Sequence, residues 1–208
     1  MPQASRNSCH TGVRLSGRRC LALLVALCGV LLVTPVTAKV YLTRDQANKA
    51  CFPKADRFEY EIVRFNAAQK SAIHRASRVK VLVPGLRCAL AWRGKELAGV
   101  VIFDYVLGKS EIIDYCIALS PDGSVRQIEV LQYRESHGYE IRRPSWKRQF
   151  TGKTIANKLR LNDDIANISG ATISCRNVTY GVKRVLHSWR LVVRPALVAR
   201  GKVLAGGE

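Results

Sequence analysis

One threonine stands among small residues in Ile168-Ser169-Gly170-Ala171-Thr172-Ile173-Ser174, directly before a long amphipathic stretch. Val178, Val182, Val185, Leu186 and Trp189 recur there at helical intervals. The pattern predicts a helix with a core-facing stripe, with Arg176, Lys183, Arg184 and Arg190 mostly off it. Thr172 then falls at the N-cap, where a hydroxyl ordinarily satisfies one of the amides that a helix start leaves unbonded, with Gly170 serving the turn. The same amides and the positive end of the helix dipole also make an anion site. A phosphoryl group esterified to Thr172 would be held by the helix terminus itself. Gly170 and Ala171 would leave room for it and for an enzyme installing it. A hydrolytic role has less support, since no Gly-x-Ser-x-Gly surrounds the residue, and Ser169-Gly170-Ala171-Thr172 lacks the lysine of a Walker loop.

The elements that must position this threonine can be read upstream. Thr43 caps an expected helix in "RDQANKACF" that Pro53 stops, "DRFEYEIVRF" has mixed periodicity, and "NAAQKSAIHRAS" reads as a second helix with Ala68, Ala72, Ile73 and Ala76 on one side. From Leu86 the period becomes that of strands. "ELAGVVIFDYVLG", "EIIDYCIALS" and "SVRQIEVLQYR" predict an antiparallel meander with one buried face, a turn at Pro121-Asp122-Gly123, and a bulge where the alternation of Ile128 and Val130 shifts to Leu131 and Tyr133. "PSWKRQFTGK" reads as a short helix opened by Pro144 and closed by Gly152, with Trp146 and Phe150 as core residues. The tail from Leu191 carries no assigned element. The expected class is α+β, a twisted antiparallel sheet flanked by the final helix and the N-terminal helices.

The front of the chain reads as an export signal. Arg6, Arg14, Arg18 and Arg19 have no acidic neighbour, "CLALLVALCGVLLV" is an unbroken apolar run of 14 residues, and Ala38 ends a small-x-small site. The run is short for a span, which needs roughly 20 residues. The expected organisation is a signal peptide over 1–38, an N-terminal helical and extended region over 39–94, a binding domain over 95–190 and a C-terminal tail over 191–208. Four of the 34 basic residues fall in the signal, leaving 30 against 15 acidic ones, a net +15. These charges are scattered without an aromatic RNA-binding signature, and an exported chain meets little nucleic acid, so no nucleic-acid partner is expected. Cys51, Cys88, Cys116 and Cys175 would survive processing, with three possible disulfide pairings and no common zinc or haem spacing.

The stretch from Leu107 to Lys153 ("LGKSEIIDYCIALSPDGSVRQIEVLQYRESHGYEIRRPSWKRQFTGK") and that from Asp164 to Leu186 ("DIANISGATISCRNVTYGVKRVL") together resemble the FMN-binding domain family. That family includes the flavin-carrying subunits of sodium-pumping NADH:quinone reductase and of Rnf-type complexes. The resemblance covers residues 95–188 and implies a single FMN-binding domain. It also implies a magnesium-dependent flavin transferase that takes FMN from FAD and joins its phosphate to Thr172, with Ser169, Gly170 and Ala171 forming the recognition motif. Tyr133 and Gly138, in a segment similar to the flavin side of the family, are candidates for stacking on the ring and for letting the backbone approach it. Lys153 and Arg176 are candidates for the phosphate or ribityl chain. His137 reads as an exposed loop histidine, and Glu135 and Glu140 as partners of Arg134, Arg142 or Arg143. Ala166 stands where the family usually has aspartate, with Asp163 and Asp164 as possible substitutes, and Cys175 where a small hydroxyl residue is common.

The function so implied is an exported electron-transfer flavoprotein with covalent FMN, in the periplasm or on the outer side of the cytoplasmic membrane. Its partners would be a flavin transferase and membrane or periplasmic redox proteins, and no residue need act as a catalytic acid or base. Two other classes stay open: a flavin-dependent reductase of a small acceptor, and a non-redox sensor or binding module in which the motif only starts a helix.

Overall fold

The computed structural model describes residues 39–203. The expected signal peptide lies outside them. Among the described residues no helix is long and apolar enough to cross a membrane.

The chain begins with a short strand β1 (Lys39–Val40) and helix α1 (Arg44–Cys51). The hydroxyl of Thr43 accepts from the Gln46 amide while the Gln46 side chain accepts from the Thr43 amide, so the helix start satisfies two donors reciprocally. The ambiguous segment is strand β2 (Arg57–Arg64), and α2 (Ala67–Ser77) follows with the same reciprocal cap from Asn66 and Gln69. Its buried residues are Ile73 and Ser77, while Ala68 and Ala76 are exposed, so the stripe is rotated from the expected one. Alanine gains little by burial, and the larger Ile73 sets the orientation.

Strands β3 (Gly85–Arg93), β4 (Glu96–Leu107), β5 (Ile112–Leu119) and β6 (Val125–Tyr133) complete a six-stranded antiparallel sheet in the order β1-β6-β5-β4-β3-β2. In β6, Val130 pairs with Tyr115 and Gln132 with Asp114, so Leu131 is the extra residue of the expected bulge. Short helix α3 (Pro144–Lys147), a 3-10 turn (Arg148–Phe150) and a long loop lead to α4 (Thr172–Ser188). The tail continues through a π-helical turn (Trp189–Val193) into α5 (Arg194–Ala199). Pro195 stands in the first turn of α5, directly after the π-helical turn, and the helix continues past it.

Both faces of the sheet are covered, correcting the expected single buried face. Ile73 of α2 and Val178, Val182 and Val185 of α4 pack with Leu90, Ile102 and Ile117. The other face carries a smaller core, in which Ala47, Cys51 and Phe52 pack with Ala89, Val101 and Cys116. The continuous run Val100–Phe103 is buried on both sides, the pattern of a strand covered twice. All four described cysteines are buried free thiols. Cys116 hydrogen-bonds with Cys51, and that contact together with burial pushes its thiol up well above the usual range.

Helix α4 is fixed to the sheet by charge as well as packing. Arg184 donates to Asp104 at 2.6 Å and to the Tyr105 carbonyl at 3.1 Å, and the Tyr115 hydroxyl donates to the same Asp104 oxygen at 2.8 Å. The sequence presents Arg184 as an off-stripe cation; it is buried because its partner lies 80 residues away on β4. Burial alone would lower its basicity, but the charge of Asp104, its hydrogen bond to Arg184 and the neighbouring Tyr115 and Tyr105 together prevail and raise it. Asp104 Oδ1 and Arg184 Nε have no hydrogen-bond partner, so the pair is incompletely satisfied. Arg184→Leu, which strands a buried carboxylate, is expected to cost about 3–5 kcal/mol, and Asp104→Leu/Arg184→Leu to recover much of that. Urea denaturation of both variants measures the difference.

Candidate functional site

The first residue of α4 is Thr172, and Ala171 is the N-cap, so the helix begins one residue earlier than expected. The Ala171 carbonyl already accepts from the Cys175 amide at 2.9 Å. No side chain caps this helix, and the expected capping role of the Thr172 hydroxyl is corrected. That oxygen accepts instead from Asn167 Nδ2 at 2.9 Å and is partly open to solvent. The small residues beside it also have reasons other than room. Gly170 has φ +82°, and a Cβ added there would meet nothing within 4 Å, so it is backbone conformation that demands the glycine. Ala171 is buried in the core and is small because it packs there. Ser169 is exposed.

Thr172 lies in a cleft of about 540 Å³ whose walls come from three places: Lys109 and Ser110 between β4 and β5, Glu135 to His137 after β6, and residues 170–174. Glu135 shapes the first wall. Its Oε1 accepts from the amides of Ser110 at 2.6 Å and Glu111 at 2.9 Å, closing a turn that brings Lys109 to the cleft. A Cβ on Gly108 would stand 2.5 Å from that same oxygen. Burial works against the charged form, but the amides of Glu111, Ser110 and Lys109 prevail and hold the carboxyl below its usual range. The expected pairing of Glu135 with an arginine is therefore corrected; Arg134 pairs with Asp114 at 2.8 Å. From α4, Asn177 donates to the Leu107 carbonyl at 2.6 Å and ties the helix to the same turn.

The second wall hangs on Tyr133. Its ring is 3% exposed, which removes it from the expected stacking role. Its hydroxyl donates to the His137 carbonyl and stands 2.9 Å from Ser174 Oγ, joining the end of β6, the following loop and the first turn of α4. Gly138 has φ +90°, and a Cβ there would come within 2.6 Å of the Tyr133 hydroxyl and 3.0 Å of Ser174 Oγ. The glycine is thus required both by backbone and by close approach.

Two expected contacts are engaged elsewhere. Lys153 pairs with Asp164 at 3.2 Å and is not among the cleft-lining residues. Arg176 is exposed one turn along α4 and is also not among them. Asp164 further accepts from the amides of Leu159 and Arg160, and Asp163 pairs with Lys158, so both carboxylates are engaged in their own loop. At position 166 the backbone is clasped from both sides: Trp146 Nε1 donates to the Ala166 carbonyl at 2.9 Å, and the Ala166 amide to Gln149 at 2.7 Å. Trp146 packs edge-on against Phe150 at 5.1 Å, core residues as expected.

Residues 108–187 match the model of the FMN-binding domain family. This segment is similar to the FMN-binding domain. All ten residues lining the cleft fall inside it. The crystal structure of NqrC from Shewanella oneidensis has a similar fold, with a TM-score of 0.51 and 16% sequence identity over 73% of this chain and 88% of that one. No curated protein matches the sequence. The cleft combines an uncapped helix start, a lysine and a glycine-containing wall, groups that suit an anion.

Gly138→Ala is expected to destabilise the domain by about 1–3 kcal/mol through backbone strain and the Tyr133 contact, measured by thermal melting. Glu135→Gln tests the turn by pH. Because the folded carboxyl is more acidic than the unfolded one, its contribution is complete above the ordinary carboxylate pKa and disappears as pH falls through the depressed folded value. The stability gap between wild type and variant should therefore be full at neutral pH and shrink in acid, as followed by urea melts along a pH series.

Proposed function

We propose that this protein is an exported electron-transfer flavoprotein carrying FMN on Thr172 through a phosphoester. The observation that carries the reading is the hydroxyl itself, partly open at the first position of a 17-residue helix with no side-chain cap, beside a cleft in the family-matched segment. Attachment would form a bond from Thr172 Oγ1 to the FMN phosphorus of FAD. The pyrophosphate bond to AMP breaks, AMP leaves, and the threonine gives up its proton. A flavin transferase would perform this step.

The chain's own residues then bind and hold. Amides at the start of α4 and the positive helix end favour the phosphate dianion, and Lys109 adds a cation at the opposite wall. Asn167 would hold the hydroxyl oxygen by a hydrogen bond before attachment. The Tyr133–Ser174 contact fixes the wall that Gly138 keeps clear. Bound FMN would supply the electron chemistry. A phosphoester removes the problem of dissociation in a compartment without free flavin. The apolar run Cys20–Val33 and the site at Ala38 support placement in the periplasm or on the outer side of the cytoplasmic membrane, with membrane or periplasmic redox proteins as partners.

Intact mass of protein produced with and without a flavin transferase tests attachment. Wild type with the transferase should gain one FMN less one water, and Thr172→Ala should gain nothing. An unchanged wild-type mass, under conditions that load a known acceptor protein, refutes covalent attachment.

A further inference from the structure

Exposed apolar side chains gather at one end of this domain. Leu82, Tyr105, Leu107, Ile112 and Tyr180, all at least 40% exposed, line a single groove of about 340 Å³ between the loop before β3, the ends of β4 and β5, and α4. Tyr105 also borders a trough of about 600 Å³ on the opposite side of the sheet, where Val40 stands exposed among Arg44, Arg87 and Arg134. Helix α1 has only eight residues and leaves this part of the face open. Ile173 is a further exposed apolar residue, in the cleft beside Thr172. The opposite end of the sheet, at the β3–β4 turn, instead presents Arg93, Lys95 and Glu96.

Charge at the apolar end has one prevailing sign. Arg78 and Lys80 precede Leu82, Lys109 lies between Leu107 and Ile112, and Arg44 and Arg87 border the trough. Among nearby carboxylates, Asp114 is paired with Arg134 and Glu135 is bound by turn amides. Glu111 is the exposed acidic residue of the same turn.

We propose that this end docks on an anionic lipid surface. Leu82, Leu107 and Ile112 would enter the acyl boundary, Tyr105 and Tyr180 would sit at headgroup level, and the arginines and lysines would meet lipid phosphates. Protruding aliphatic side chains framed by cations match a bilayer surface, whose phosphates and acyl chains are layered in the same order. Docking in this way brings the FMN cleft to the membrane, and it does not depend on whether Thr172 is flavinylated.

Flotation of the purified exported protein tests it, using vesicles of phosphatidylglycerol and phosphatidylcholine in equal parts and vesicles of phosphatidylcholine alone. Wild type should bind the mixed vesicles at least roughly tenfold more tightly than the neutral ones, and lose that binding in high salt. Leu82→Ser/Leu107→Ser/Ile112→Ser should weaken it roughly tenfold or more, and Lys80→Ser/Arg87→Ser should weaken it severalfold. Arg93→Ser/Lys95→Ser, at the opposite end, should leave it unchanged, and the circular dichroism of all variants should match wild type. Absence of binding overturns the proposal and leaves the patch to a protein partner. Equal losses at both ends, or an unaffected triple variant, overturn it in favour of nonspecific charge attraction.

Discussion

The hydroxyl of Tyr133 is the point at which sheet, loop and helix α4 meet. It donates to the His137 carbonyl and receives the Ser174 side chain, so a strand end, a glycine-containing loop and the first turn of α4 share one buried oxygen. Polar groups inside a protein are costly unless bonded, and such a shared oxygen makes each of the three elements depend on the others. The bulge at Leu131 serves the same joint. Without the extra residue, Tyr133 would point to the other face of the sheet and could not reach α4, because side chains alternate along a strand. The position of Thr172 therefore depends on strand register as much as on the motif around it.

What was legible in the sequence is what short-range chemistry determines. The Thr43 cap needs only its own neighbours in the chain, and the α4 stripe from Val178 to Trp189 needs only helical period. The bulge was visible because one strand pairs its apolar residues in two phases. The illegible features depend on partners distant in the chain. Arg184 finds Asp104 across 80 residues, and Glu135 finds the amides of a turn 24 and 25 residues earlier. Neither has a local signature, since an arginine off the stripe and a glutamate after a strand normally face water. Lys109 escaped notice for the same reason: only the Glu135 turn brings it to the cleft.

The loop before the motif shows how a missing carboxylate changes the local balance. Ala166 contributes only backbone, and that backbone is clasped by Trp146 and Gln149. Asp164 helps to shape the same loop from within, accepting two amides and Lys153; these donors prevail over the burial that opposes its charge and hold its carboxyl below the usual range. Carboxylates spent on internal amides are poor candidates for contacting an incoming enzyme, because leaving would strand those donors. On the attachment proposed above, recognition would rest on the exposed residues Ser169 and Gly170 and on Thr172.

An uncapped helix start forgoes about 1 kcal/mol that a Ser, Thr, Asp or Asn cap would supply. Helix α4 can bear this because its other end is held by independent means: the Arg184–Asp104 pair, the close contact of Gly181 with the Tyr115 hydroxyl, and the core residues Val182, Val185 and Trp189. The helix is thus anchored where it is buried, and its uncapped amides lie at the end beside the cleft. Filling that end with a capping side chain would stabilise the protein and compete with an anion for the same amides. Placing Ala171 at the N-cap and turning the threonine hydroxyl toward Asn167 avoids that competition, which would leave the helix terminus and the hydroxyl available to the phosphate proposed above.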